Sequence, residues 1–227
     1  MNMGKLKDQK IVADAFNDFF LTTSEKLNRY KSEMRDAILF LKDSFPGNFP
    51  TINIIPVTEA EIKGIISSLK PKNSSSYDEI TSKIIKSWAS LISIPLSYIF
   101  NYSLHTGILP DCLKMAVIKP LYKKGDKFDI SNYRPISLSP TFAKIFEKAM
   151  CSRLSQHLQT NYILAPEKYA FRKGKSTEEA AFRLTDSVLK SPKQKLYVGG
   201  IFCDLSKAFD IVNHKILLRC VFMVFKE

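Results

Sequence analysis

Asp204 is the residue whose type and position best suit it to chemistry. It follows the apolar run of residues 196–203, which is rich in β-forming side chains and predicts a buried strand that ends at a carboxylate. An ionised carboxylate in such a place costs free energy unless it is paired or binds a metal ion. Phosphoryl transfer uses carboxylates of this kind to hold Mg²⁺ between the attacking and leaving oxygens. The alternative is that Asp204 caps the following turn, and spacing alone favours that alternative.

Other catalytic arrangements find little support in the sequence. The stretch Gly174-Lys-Ser176 lacks the earlier glycine of a P-loop, since position 169 is tyrosine, so a P-loop NTPase is excluded. No cysteine pair has C-x-x-C spacing and no histidine lies at finger spacing, so a zinc site is not expected. No serine or cysteine has an evident base partner for a hydrolase triad. Four cysteines are expected to be reduced core residues of an intracellular protein: Cys112, Cys151, Cys203 and Cys220.

Positive charge is concentrated in one part of the chain. The 227 residues include 34 Lys+Arg and 22 Asp+Glu, a net charge of +12, and residues 114–175 carry a local net charge of +9. Tyrosines and phenylalanines lie among these cations. A basic segment with interleaved aromatic rings is typical of proteins that bind a nucleic acid or a nucleoside triphosphate. A solvated lysine surface is the alternative, and charge alone does not separate the two.

The sequence gives no indication of a membrane protein. No window approaches the ~18 consecutive apolar residues of a membrane helix, and no apolar signal core follows Met1. An intracellular protein that does not associate with membranes is therefore expected.

Apolar spacing and capping signals predict helices around a few strands. The capping box Thr58-Glu-Ala-Glu61 predicts a helix to Leu69, and Ser176-Thr-Glu-Glu179 predicts another through Leu189. Ser139 and Pro140 are expected as N-cap and first residue of a helix that runs to about residue 158. Further helices are predicted at residues 11–42 (with a break near 28–31), 80–88 and 91–105, strands at 115–122, 133–138 and 196–204, and a helix or strand from His214. The first two strands would form a basic hairpin around the turn at residues 123–126.

Several motifs, in one consistent order, resemble the reverse transcriptases of non-LTR (LINE-type) retrotransposons. Asp204-Leu-Ser-Lys-Ala-Phe-Asp210, followed by Val212-Asn-His214, is similar to the first palm motif of that family. Asn132-Tyr-Arg-Pro-Ile-Ser-Leu138, Lys144-Ile-Phe-Glu-Lys148 and Tyr169-Ala-Phe-Arg-Lys-Gly-Lys-Ser-Thr177 resemble its fingers motifs. Upstream segments continue the resemblance at residues 69–78, 101–110 and 119–126.

The resemblance implies an α+β fold, the right-hand polymerase fingers with an incomplete palm and a helix-rich N-terminal extension. Residues 1–110 would form the helical extension leading into the fingers, residues 111–195 the fingers, and residues 196–227 the start of the palm. The implied activity is Mg²⁺-dependent, RNA-directed DNA polymerisation. The implied partners are an RNA template, a DNA primer and deoxynucleoside triphosphates.

The resemblance also gives roles to residues near the reacting phosphate. Asp204 matches the first catalytic, metal-binding aspartate, and the carbonyl of Leu205 would add a ligand. Phe209 matches the aromatic residue that excludes a ribose 2′-OH, although its ring would also suit a protein core. Both interpretations of Phe209 are consistent with the residues alone.

Basic residues receive the remaining implied roles. Arg134, with Lys123 or Lys124, falls on the hairpin that holds the incoming triphosphate, and the fork of an arginine binds phosphate bidentately. Arg172 and Lys173 match a segment near the template. The alternatives are that Arg134 pairs with a carboxylate and that Arg172 and Lys173 are merely solvated.

This chain also departs from the family pattern. Ser76 and Ala170 stand where the family has glycine, and Leu113 where it has tryptophan; an alanine at position 170 requires a negative φ. No adjacent Asp-Asp pair occurs in the sequence, so the Y-x-D-D palm motif is missing. Because one carboxylate cannot hold two Mg²⁺ ions, a truncated polymerase that is inactive alone is expected. The alternatives are a non-catalytic basic nucleic-acid-binding module and a translated remnant without function.

Overall fold

The computed structural model describes residues 8–27, 39, 43, 50–192, 195–204 and 212–218. The chain divides into two compact units, residues 1–154 with 209–227 and residues 155–208. In the first half of the chain the helices are α1 (Gln9–Leu27), α2 (Glu59–Ser68), α3 (Ser82–Ser87), α4 (Ala89–Thr106) and α5 (Asp111–Lys114). Strands β1 (Val117–Tyr122) and β2 (Tyr133–Leu138) follow, and then helices α6 (Thr141–Thr160) and α7 (Thr177–Lys190).

The core of the first unit is formed by α2, α4 and α6. Ile62 and Ile66, four residues apart on α2, are fully buried because positions i and i+4 share one helix face. Phe100 of α4 packs its ring edge against Phe146 of α6 with centroids 5.0 Å apart. The buried members of this cluster are Val57, Ile62, Ile66, Leu69, Ile85, Leu96, Phe100, Ile145 and Ala149. Helices of a length that is marginal in isolation are therefore stabilised by one shared apolar core.

The extended segment before α2 is held by a reciprocal amide contact. The backbone N–H of Val57 donates to Asn101 Oδ1 at 2.7 Å, and Asn101 Nδ2 donates to the Val57 carbonyl at 2.9 Å. Thr58 then caps α2, because its Oγ1 accepts from the Glu61 N–H at 3.2 Å. The start of α2 is thus fixed against α4.

A largely buried arginine joins α6 to α2. The Arg153 side chain is 9% exposed and forms a two-pronged ion pair with the Glu61 carboxylate. Arg153 also donates from Nε to the Ile55 carbonyl at 3.0 Å and from Nη2 to the Pro56 carbonyl at 3.2 Å. One guanidinium therefore satisfies acceptors on two separate segments.

The second unit contains α7 and an irregular segment. Ser176 caps α7, with its Oγ accepting from the Glu179 N–H at 3.1 Å. Lys175 Nζ lies 2.7 Å from Glu179 Oε1, and this hydrogen bond lowers the pKa of the Glu179 carboxyl. No described residue of α7 is buried.

Most predicted elements are confirmed, with ends that differ by one or two residues. The helices begun by Thr58 and Ser176, the two helices before residue 107 and both hairpin strands are present, and residues 214–218 are helical. α6 begins at Thr141, so Pro140 lies at the cap, where its carbonyl accepts from Lys144 N at 3.2 Å. Helix α1 confirms the first part of the prediction for residues 11–42; the rest lies outside the described residues.

The predicted strand at residues 196–204 is wrong. These residues form no regular element, and Tyr197, Ile201 and Phe202 are each at least 85% exposed. β-forming side chains favour a strand only where a neighbouring strand pairs with the backbone. In the described part of the chain the sheet consists of β1 and β2, which leaves this segment without a strand partner.

Two further expectations can be compared with the described residues. Cys112, Cys151 and Cys203 are exposed, so the prediction of core cysteines is wrong for these three, while Cys220 lies outside the described residues. Among the helices that are described, none combines the length and apolar character needed to cross a membrane. The boundaries predicted at residues 110 and 195 remain predictions.

Replacing Arg153 with methionine should destabilise the first unit strongly. The substitution keeps the volume of the stem but leaves the Glu61 carboxylate and two carbonyls without their donor. We expect the free energy of unfolding to fall by roughly 2–4 kcal/mol, as measured by urea denaturation. Lys63→Met is the matched control, because Lys63 pairs with Glu59 at 2.6 Å on an exposed surface and such pairs are worth at most about 1 kcal/mol. Equal losses in the two variants would contradict this role for Arg153.

Candidate functional site

The register of the β1–β2 hairpin sorts its side chains onto two faces. Ile118 pairs with Ser137 and Pro120 with Pro135, whereas Lys119 pairs with Ile136 and Leu121 with Arg134. Because side chains alternate along a strand, Lys119 and Arg134 share one face and lie on a diagonal of the ladder. Both side chains are exposed.

The other face of the hairpin lies against α1. Phe16 of α1 is buried and packs its ring edge against Tyr133, with centroids 5.0 Å apart. A groove of about 970 Å³ between α1 and this face is lined by Val12, Phe16, Phe20, Ile118, Pro120 and Pro135, among others. Tyr133 therefore contacts α1 on this face, although Ile118 and Pro120 stay exposed along the groove. Lys119 and Arg134 lie on the opposite face, together with the exposed side chains of Leu121 and Ile136.

The loop at residues 123–132 uses its acidic side chains to hold its own backbone. Asp126 Oδ1 accepts from the Phe128 N–H at 2.9 Å, and Asp129 Oδ1 accepts from the Ser131 N–H at 2.9 Å. The latter hydrogen bond lowers the pKa of the Asp129 carboxyl. In the described part of the chain, neither Lys123 nor Lys124 forms an ion pair. These two lysines remain exposed at the tip of the hairpin.

Hydrogen bonds join the end of the hairpin and the start of α6 to the segment between α2 and α3. The Ser76 hydroxyl donates to the carbonyl of Leu138, the last residue of β2, and Thr141 Oγ1 donates to the Ile80 carbonyl at 3.0 Å. Ser76 is one of the departures from the family pattern, and here its side chain has a structural use that glycine lacks. The hairpin is thus a fixed arm and not a free loop.

In the second unit, residues 169–177 carry the other predicted basic site. Arg172 Nη1 donates to the Ala165 carbonyl at 3.1 Å, so one donor of this side chain stabilises the local backbone. Lys173 is exposed. Phe171 has φ +56° and is 89% exposed. Ala170 is not among the described residues with positive φ, which meets the condition for alanine at that position.

Asp204 is among the residues that the structure describes, whereas residues 205–211 of the predicted palm motif are not. Asp204 is exposed and follows the irregular segment, whereas Leu205 and Phe209 lie outside the described residues. Among the residues that the structure describes, no three His, Cys, Asp or Glu side chains group as metal ligands. Two-metal catalysis needs carboxylates that bridge both ions. The described residues therefore do not form a two-metal site by themselves.

Lys119 is a candidate ligand residue that the sequence interpretation missed. It lies inside a motif that resembles the family, but no role was predicted for it. Side chains alternate between the two faces of β1, and the predicted hairpin puts Lys119 on the same face as Arg134. This combination is the sequence signal that identifies Lys119.

Comparison with known proteins gives the family. Residues 122–227 match the family described as reverse transcriptase (RNA-dependent DNA polymerase). The chain is 32% identical over 176 residues to a probable RNA-directed DNA polymerase from transposon BS of Drosophila melanogaster, which covers 77% of this chain and 19% of that protein. It is 31% identical over 164 residues to the RNA-directed DNA polymerase from mobile element jockey of Drosophila funebris, covering 72% and 18% respectively.

These similarities identify a reverse transcriptase segment that combines helices with one small sheet. The chain belongs to the reverse transcriptase family of non-LTR retrotransposons. It spans about a fifth of the length of the curated relatives that it matches.

Gly125 should be required for the shape of the hairpin tip. Its φ is +98°, and a Cβ at this position would lie 2.7 Å from Asn132 Nδ2, which donates to the Asp126 carbonyl at 2.9 Å. We expect Gly125→Ala to cost about 1–3 kcal/mol locally. Amide hydrogen exchange of Lys123, whose N–H donates to the Asn132 carbonyl at 2.9 Å, should be accelerated.

Gly64→Ala is the control for this substitution. A Cβ at Gly64 meets nothing within 4 Å, so alanine should stabilise α2 by about 0.5–1 kcal/mol. Unchanged exchange at Lys123 in the Gly125→Ala variant would contradict the proposed strain.

Proposed function

We propose that this chain supplies the nucleotide-binding fingers and the first palm segment of an RNA-directed DNA polymerase. The observation that carries the proposal is the unpaired positive charge of the hairpin. All ion pairs in the described part of the chain involve residues outside residues 117–138. A fixed arm that exposes unpaired cations on one face and at its tip suits a polyanionic ligand.

The triphosphate of an incoming deoxynucleotide fits these cations. Arg134 presents a planar fork that can bind two phosphate oxygens at once, and Lys119 lies diagonally beside it. Lys123 and Lys124 at the tip add positive charge without a fixed geometry. Because Asp126 and Asp129 are engaged by backbone N–H groups, they compete less for these cations than free carboxylates would.

An RNA template paired to a DNA primer is the second proposed ligand. Lys173 would contact the phosphate backbone, and the exposed ring of Phe171 suits stacking on an unpaired base. Arg172 would contact the template with the guanidinium N–H groups that do not donate to the Ala165 carbonyl. This assignment rests on exposure and residue type in the second unit, together with the resemblance of residues 169–177 to the fingers.

Among the described residues, Asp204 is the one with a proposed catalytic role. In the right-hand arrangement proposed here, Asp204 would be one of the carboxylates that hold Mg²⁺, and bound Mg²⁺ would neutralise charge on the transferred phosphoryl group. By resemblance to the family, the Leu205 carbonyl would add a metal ligand and the ring of Phe209 would exclude a ribose 2′-OH. The chain thus contributes binding and orientation, with one catalytic carboxylate.

Replacing Arg134 with alanine should weaken triphosphate binding. We expect the dissociation constant for dATP, measured by isothermal titration at low salt, to rise about 5- to 20-fold, because a charge-assisted contact worth roughly 1–2 kcal/mol is lost. Arg134→Lys should fall between the wild type and Arg134→Ala, since it keeps the charge but loses the fork.

Arg183→Ala is the matched control for this titration. Arg183 is an exposed arginine on α7, 3.2 Å from Glu179, and has no proposed contact with the nucleotide. Its substitution should leave the dissociation constant within about twofold. If Arg134→Ala and Arg183→Ala weaken dATP binding equally, the hairpin is not the triphosphate site.

A further inference from the structure

Helix α4 is apolar on both of its sides. Its 18 residues contain no Asp, Glu, Lys or Arg. The inner side, with Leu96 and Phe100, is buried in the core. The opposite side carries an exposed row that we call the outer stripe, formed by Trp88, Leu91, Ile94, Tyr98 and Tyr102. A contiguous row of exposed apolar side chains of this kind marks an interaction surface, whereas single exposed apolar residues do not.

The outer stripe supplies much of the area that one partner gives to a stable interface. Aromatic side chains carry about 150–250 Å² each, so Trp88, Tyr98 and Tyr102, which are 56%, 72% and 59% exposed, leave roughly 300–450 Å² of ring surface in water. Leu91 and Ile94 are 68% and 60% exposed and add aliphatic surface. The combined exposed surface of these five side chains lies near the upper end of the roughly 300–600 Å² range for the largest apolar patch of an ordinary monomer. It supplies most of the about 800 Å² that each partner gives to a standard interface.

The chemistry of the outer stripe indicates a protein partner. Interface cores are enriched in Trp and Tyr and depleted of Lys and Glu, as this stripe is. A nucleic acid would require cations for its phosphates, and the stripe has none. The outer stripe and the basic hairpin therefore suit different kinds of ligand.

We propose that the outer stripe binds the outer stripe of a second copy of this chain, forming a two-fold symmetric dimer. An uncharged apolar row is complementary to itself, which an isologous interface requires. If the two α4 helices cross antiparallel near Ile94 and Tyr98, Leu91 of one copy faces Tyr102 of the other.

The ends of α4 favour the antiparallel orientation. In that orientation the positive N-terminal end of each α4 approaches the negative C-terminal end of α4 in the other copy. Nothing in this dimer uses Lys119, Arg134 or the other proposed ligand residues, so it is independent of the proposed function.

Sedimentation velocity of the full chain across the micromolar range tests the proposal. The wild type should dimerise, and the dimer should strengthen or hold as salt is raised, because salt screens the +12 net charge of each copy. Assembly through bound nucleic acid would weaken instead. A chain that is monomeric throughout, or whose assembly is lost with salt or nuclease treatment, would overturn the proposal.

A pair of leucine substitutions makes the test specific. Leu91→Glu should raise the dimer dissociation constant about 10- to 100-fold, since it places one carboxylate from each copy in the apolar interface. Leu189→Glu is the matched control, because Leu189 on α7 is 65% exposed against 68% for Leu91. Equal dissociation by both variants would overturn the assignment to the outer stripe.

Tyr98→Arg provides a second variant in case Leu91→Glu does not fold. It should also give monomers, and its thermal midpoint should stay close to that of the wild-type monomer, because Tyr98 is 72% exposed and contributes little to the core. A folded Tyr98→Arg chain that still dimerises like the wild type would overturn the proposal.

Discussion

The arrangement of the first unit depends on the contacts that the Arg153 guanidinium makes. It ties α6 to α2 through Glu61 and to the segment before α2 through the Ile55 and Pro56 carbonyls. Removing Arg153 would leave the partly buried Glu61 carboxylate and two backbone carbonyls without their donor, so one substitution would break all of these contacts. They hold the helices in the arrangement that closes the apolar core around Ile62, Phe100 and Ile145. The hairpin is then fixed to this core through Ser76 and Thr141.

This arrangement explains how the hairpin can carry exposed charge. Some acidic residues elsewhere form structural ion pairs, as Glu61 does with Arg153 and Glu179 with Lys175 and Arg183. The hairpin aspartates are used by the backbone of the loop. The cations of the arm are unpaired because basic residues outnumber acidic ones in this part of the chain and because Asp126 and Asp129 accept from the backbone of the loop. Unpaired cations on a fixed arm are what the proposed triphosphate site requires.

Local signals in the sequence were sufficient for much of the fold. Thr58 and Ser176 predicted two helix starts because a capping side chain acts within three residues, and alternation predicted both hairpin strands. The segment at 196–204 could not be predicted this way, because a strand depends on a partner that the local sequence does not specify. Motif order identified Arg134 and Asp204 as candidates, but the role of Lys119 required the strand register, and that of Ser76 required its contact with Leu138.

The hairpin can be tested as the triphosphate site by photoaffinity labelling with dATP γ-(4-azidoanilide), which carries its azide beside the triphosphate, followed by peptide mapping. Adducts should be concentrated on peptides that contain residues 117–138 and should be suppressed by unlabelled dATP. Adducts confined to other peptides, or labelling of the hairpin that unlabelled dATP does not suppress, would contradict it.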